Sequence, residues 1–100
     1  MPYYKRYYKS QVVLWIKHFK SVKQPRTLQE AIHYYAVKSA INDTLTLPDG
    51  HERMKIVDMC YFKKAKSFIG AAMEVGVSER TAYRWCDDFV RNVEKKAGYI

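Results

Sequence analysis

An all-α fold, a small domain of about five helices ending in a helix-turn-helix, is predicted by three features of this 100-residue chain. Glycine and proline are scarce, at four and three residues, which favours helices joined by short turns over a many-stranded sheet. Capping residues recur ahead of stretches whose apolar positions repeat every three or four residues. No stretch of useful length alternates apolar and polar residues as a strand would.

The elements follow in order. A first helix is expected over residues 3–22, ending at KQPRT, where Pro25 disfavours helix at the residue before it. TLQE opens the second, because Thr27 and Glu30 stand at capping-box spacing. That helix should reach about Leu45, with Leu28, Ala31, Ile32, Tyr35 and Ala36 on its core face. LPDG then breaks the chain. Asp49 is placed to cap a third helix, with Glu52 three residues on and Ile56, Val57, Cys60 and Tyr61 turned inward. KKAK connects it to a fourth helix over residues 67–75, stopped by Gly76, and Ser78 starts a fifth that runs to about Lys96. Residues 1–46 hold the first two helices and residues 47–100 the helix-turn-helix. A chain of this length builds one core, so the two sections should form one compact domain.

The charge is unevenly spread. The formal net charge is +8 and the sequence pI about 9.5, the profile of a nucleic-acid binder. Up to Arg26 the chain carries seven basic residues and no acid, whereas from Thr27 onward 11 basic residues face 10 acidic ones. Cys60 and Cys86 have no C-x-x-C neighbour, which fits buried thiols in a reducing compartment. The longest apolar run, VVLWI, is far short of the roughly 20 residues that span a bilayer, and no small-residue cleavage site follows it. The expected location is the cytoplasm of a host cell, with no membrane association.

FIGAAMEVGVSERTAYRWCDD, residues 68–88, meets the requirements of a helix-turn-helix. Ala71 and Ala72 let the second helix approach the first; Gly76 suits the positive φ of a tight turn. Val77 drops into the core and Ser78 caps the second helix. Along that helix Ala82, Trp85, Phe89 and Val93 form the buried stripe. Opposite them stand Ser78, Glu79, Arg80, Tyr83, Arg84 and Asp87, the positions a recognition helix presents to base edges in the major groove. Arginine suits bidentate contact with guanine, glutamate accepts from cytosine N4, and Tyr83 can pack on a thymine methyl or bond a phosphate. Candidate phosphate contacts are Lys5, Arg6, Lys9, Lys17 and Lys20 on the first helix, Lys66 and Ser67 where the fourth begins, and Thr81 on the reader.

The stretch LPDGHERMKIVDMCYFKKAKSFIGAAMEVGVSERTAYRWCDDFV resembles the sigma-factor region 4 type of helix-turn-helix. A leucine-proline turn leads into a helix ending in an aromatic pair, here Tyr61 and Phe62, and then into the two-helix reader. More narrowly, ERMKIVDMCYF followed by VSERTAYRWCDDFV resembles the C-terminal part of the RinA-type phage activators of late-gene transcription. The resemblance covers about the second half of the chain. FIGAAM stands where such proteins often carry acidic or glutamine residues. The resemblance implies a phage or prophage regulator bound near a promoter, touching host RNA polymerase.

Other chemistry is poorly supported. His18, His33 and His51 with the two cysteines show no paired ligand spacing, so no metal or cofactor is expected. There is no phosphate loop, nucleophile elbow or zincin motif, and no enzyme is expected. Asp87 and Asp88 are adjacent, point in different directions and cannot act as a dyad. Tyr34 and Tyr35 should split between core and margin rather than form a stacking platform for single strands. In the first helix Lys5, Arg6, Lys9, Lys17, Lys20 and Lys23 fall within about 120°, with Tyr3, Tyr4, Tyr7, Tyr8, Val12, Leu14, Trp15, Phe19 and Val22 on the other side. Such a helix can lie along the DNA backbone, pair with a second copy or rest in a membrane interface. The favoured reading is a sequence-specific regulator that binds double-stranded DNA as a homodimer. A DNA-packaging component, such as a small terminase-like subunit, is the alternative.

Overall fold

A computed structural model describes residues 9–99; the opening of the expected first helix, with Lys5, Arg6 and Tyr3, Tyr4, Tyr7 and Tyr8, lies outside them. Five α-helices follow one another and no strand occurs among the described residues: α1 (Lys9–His18), α2 (Leu28–Leu45), α3 (Gly50–Val57), α4 (Phe68–Val75) and α5 (Glu79–Lys96). A short 3-10 turn, Phe19–Ser21, extends α1, and a π-helical turn, Asp58–Phe62, extends α3.

Every other helix packs on α5. It buries Ala82, Trp85, Cys86, Phe89, Val90 and Val93. Around them lie Val12 and Ile16 of α1, Ala36, Val37 and Ala40 of α2, Ile56 and Val57 of α3, and Ala71 and Ala72 of α4. The three buried alanine positions of α4 and α5 let these helix axes come close, which a larger residue would prevent.

The start of α2 is as the sequence indicates. Thr27 Oγ1 accepts from the Glu30 N–H at 3.0 Å, and Glu30 Oε1 accepts from the Arg26 N–H at 2.8 Å. Its core face is not the expected one. Leu28, Ile32 and Tyr35 are exposed; Ala36 is buried as expected, but its companions in the core are Val37, Ala40 and Thr44. α2 carries apolar residues on two sides, and the side with small residues is the one that fits closely against α3 and α5. Tyr34 and Tyr35 do split: Tyr34 stacks on Phe19 with centroids 5.0 Å apart, while Tyr35 stays outside, edge-on to its neighbour.

The start of α3 also departs from expectation. Asp49 makes no side-chain cap. Its carboxylate accepts from Arg53 Nε at 2.9 Å, because the helix begins so tightly against the end of α2 that contact, not capping, sets the start. Gly50 makes that approach possible: a Cβ there would run into the Thr44 carbonyl oxygen and the Leu45 backbone. At the other end the Lys63 N–H reaches the Asp58 carbonyl at 2.8 Å, a five-residue step. The wider turn buries Met59 and Tyr61 and leaves Cys60 and Phe62 half-buried. The connector folds back over it, with the Ala65 and Lys66 N–H groups both donating to the Met59 carbonyl.

In α1 the basic and apolar residues are not on opposite sides. At 100° per residue, the fully buried Val12 and Ile16 lie only about 60° and 20° from Lys9. Docking on α5 and the π turn uses this side, so Lys9 and Lys20 border the packing surface and Leu14 is exposed. Lys23 lies beyond the 3-10 turn and belongs to no helical stripe; Val22 is already extended.

Two measurements test these contacts. Gly50→Ala should lower stability by about 3 kcal/mol in urea unfolding. Gly70→Ala, whose Cβ would meet nothing closer than 3.6 Å, should be neutral or gain about 0.5 kcal/mol. His33 stacks on Trp15 at 15°, and burial lowers its pKa. The unfolded chain therefore binds the extra proton more readily. Stability should fall as pH drops from about 7 through the lowered His33 pKa, and His33→Phe should flatten that part of the melting-temperature profile.

Candidate nucleic-acid interface

The two-helix unit is built by its caps. Ser67 Oγ accepts from the Gly70 N–H at 3.2 Å and starts α4. Gly76, at φ 88°, ends it. The Gly76 and Val77 N–H groups both donate to the Ala72 carbonyl, at 2.8 and 3.0 Å, which closes the last turn. Val77 packs against the core as expected. Ser78 Oγ then accepts from the Thr81 N–H at 3.1 Å and lies 2.9 Å from the Thr81 hydroxyl. Thr81 is thus half-buried beside the cap, with its hydroxyl engaged there.

At the cap and in the first two turns of α5 the exposed residues are Ser78, Glu79, Arg80, Tyr83 and Arg84, and of these Arg80 and Arg84 lie opposite the buried stripe. Asp87 is placed differently. Its carboxylate is 3.1 Å from Lys9 Nζ and 3.3 Å from Arg91 Nε, so it sits at the edge where α1 meets α5. Lys9 Nζ also stands 3.5 Å from the Tyr83 hydroxyl and 5.6 Å from its ring centroid. Phe68, the first residue of α4, meets the same ring edge-on at 5.3 Å. Lys9, Tyr83, Phe68 and Ser67 therefore form a continuous path from α1 across the reader to the start of α4. Lys66 lies at that end, 3.3 Å from Glu74. Lys20 sits further along, over the Phe62 ring at 5.4 Å, and Lys17 is half-buried. Lys5 and Arg6 lie outside the described residues, immediately upstream of Lys9 in sequence.

Arg53 and Phe68 carry parts of this arrangement that the sequence did not single out. Arg53 Nη1 donates to Asp88 at 3.3 Å, and its guanidinium lies 5.3 Å from the Trp85 ring centroid. Only its four-residue spacing from Asp49 was visible in the chain. Asp87 and Asp88 accordingly face different helices, one toward α1 and the other toward α3.

Cys60 and Cys86 are free thiols. Burial pushes both upward in pKa, as it does the Tyr61 hydroxyl, so these groups stay protonated at neutral pH. Among the described residues no three His, Cys, Asp or Glu side chains group closely enough to hold a metal ion. No helix among them is long and apolar enough to cross a membrane. No family model, curated protein or solved structure matches the chain.

The cap and the exposed face differ in what they contribute. Ser78→Ala should cost about 1 kcal/mol of stability by losing the bond to the Thr81 N–H. Glu79→Ala, Arg80→Ala and Arg84→Ala should each change stability by less than about 0.5 kcal/mol, as surface substitutions do. Urea unfolding of the four variants distinguishes the classes; a large loss at Arg80 or Arg84 would make that residue part of the fold.

Proposed function

We propose that this protein is a sequence-specific regulator of transcription that binds double-stranded DNA, of the phage late-gene activator type its second half resembles. One observation carries the reading. A capped two-helix unit with a glycine turn holds the polar N-terminal half of α5 at the surface, on a chain of net charge +8. An α-helix fits the major groove, about 12 Å wide. The apolar stripe of α5 stays in the core while its exposed residues meet base edges.

In this reading Arg80 and Arg84 take guanine, and Glu79, Ser78 and Tyr83 contribute at neighbouring positions. Asp87 holds Lys9 beside Tyr83, so that Lys9 meets phosphate at the edge of the groove. Lys66 and the amides at the start of α4 contact phosphate on the other side. Lys5, Arg6, Lys17, Lys20 and Thr81 complete the backbone contacts. The natural partners are promoter DNA in the host cytoplasm, a second copy for the other half-site, and host RNA polymerase.

A binding-site selection followed by competition tests the reading. Arg84→Ala should weaken the selected site by about 1–3 kcal/mol and relax discrimination at one position. Replacing Lys5 and Arg6 with glutamine should weaken all sequences alike and flatten the log–log salt slope by about 0.9 for each phosphate no longer neutralised. Unchanged discrimination in Arg84→Ala would remove that residue from the reader set.

A further inference from the structure

The two cysteines take no part in the proposed DNA contacts, yet the fold brings them together. Cys60 lies in the π turn that extends α3, and Cys86 lies on α5. Their thiols are within hydrogen-bonding reach of each other. Cys60 Sγ also lies 3.8 Å from the Ser67 carbonyl oxygen, at the start of α4. Three elements therefore meet at one pair of free thiols. The two differ in access. Cys60 is half-buried against the core, so a small reagent can reach it, whereas Cys86 is fully buried and adjoins Cys60.

We infer that Cys60 and Cys86 are a site of oxidative modification, where hydrogen peroxide converts the pair into a disulfide that braces the two-helix unit. The Cys60 sulfur takes one peroxide oxygen as the O–O bond breaks, which gives a sulfenic acid and one water. The Cys86 sulfur then attacks that sulfur. The S–O bond breaks, and the hydroxyl leaves as a second water with the Cys86 proton. Two thiols are oxidised to one disulfide while one peroxide is reduced to two waters. The hydrogen bond between the thiols supports this order. Burial raises the pKa of both first of all, but the bond favours the Cys60 thiolate and disfavours that of Cys86. The reachable sulfur is thus also the one that ionises more readily. The bridge closes a ring of 27 residues, from Cys60 to Cys86, which contains the connector, all of α4, the glycine turn and the first two turns of α5. Ser78 to Arg84 lie inside it. Joining the ends of that segment restricts the unfolded chain, which stabilises the folded unit.

Treatment of the reduced full chain with hydrogen peroxide, followed by peptide mapping without reductant, tests the assignment. The wild type should lose the mass of two hydrogens and yield one peptide linked through Cys60 and Cys86, and dithiothreitol should restore both thiols. The urea midpoint of the bridged protein should rise by about 2 M, from loop closure in the unfolded chain. The thiolate is the reactive form, and the titratable neighbours Asp87 and Tyr61 supply no positive charge to favour it. Bridging should therefore speed up about tenfold per pH unit between about pH 7 and 9. Cys86→Ala should stop at the Cys60 sulfenic acid, which dimedone labels, and Cys60→Ala should leave Cys86 unmodified. The wild-type map needs neither variant to fold. A wild type that keeps both thiols in excess peroxide at about pH 9 overturns the assignment, as does one whose Cys60 ends as a sulfinic acid or links two chains. A bridged protein with a lower urea midpoint overturns it equally.

Discussion

One helix has to serve as both the centre of the core and a presented surface, and the other elements are arranged by that constraint. α5 buries six apolar residues, two of them aromatic, and all four other helices pack on it. Burial of a side chain such as Phe89 contributes roughly 1.5–3 kcal/mol, so the helix cannot rotate without losing several such terms together. Its outward face is therefore fixed in direction by its inward one. Arg80 and Arg84 project from a support whose orientation is set by Ala82, Trp85 and Phe89 on the buried side of the helix.

The adjacent acids Asp87 and Asp88 refine that support. Each reaches a basic residue on a different helix, Lys9 on α1 and Arg53 on α3. The groups are partly exposed, and such pairs typically contribute about 0–1 kcal/mol. Their effect is orientation more than stability. Arg53 adds contact with the Trp85 face, which ties α3 to the core side of the same helix. Lys9 is held between Asp87 and Tyr83, so the start of α1 is registered against the proposed reader and not merely near it.

What was legible in the sequence was what local chemistry decides. Thr27 and Ser78 cap as their types and positions indicate, and Gly76 takes the left-handed conformation its place requires. The stripe on α5 was legible because one period runs unbroken through it. α2 was not, because its apolar residues occupy two sides and only the shapes of α3 and α5 select between them. Asp49 has the residue type and spacing of a cap, yet the close approach at Gly50 leaves its carboxylate to Arg53. The π turn left no signature in residue type. Lys9 looked like one member of a solvent stripe, since its partner Asp87 lies far along the chain.

These two kinds of information bear differently on the proposed activity. The proposed base-reading chemistry lies in a short segment, so SERTAYR could be interpreted without the rest of the fold. Backbone contact depends on where distant basic residues come to lie, and the sequence shows only that seven of them precede the first acid. The Lys9–Asp87 pair links the two, because it ties one member of that basic run to the middle of α5. A phosphate that contacts Lys9 would therefore act at a fixed distance from Arg80 and Arg84, the proposed base-reading side chains. In the proposed complex, non-specific affinity is then not an independent addition to specificity. It limits the registers in which Arg80 and Arg84 can meet the groove, and so contributes to which bases they read.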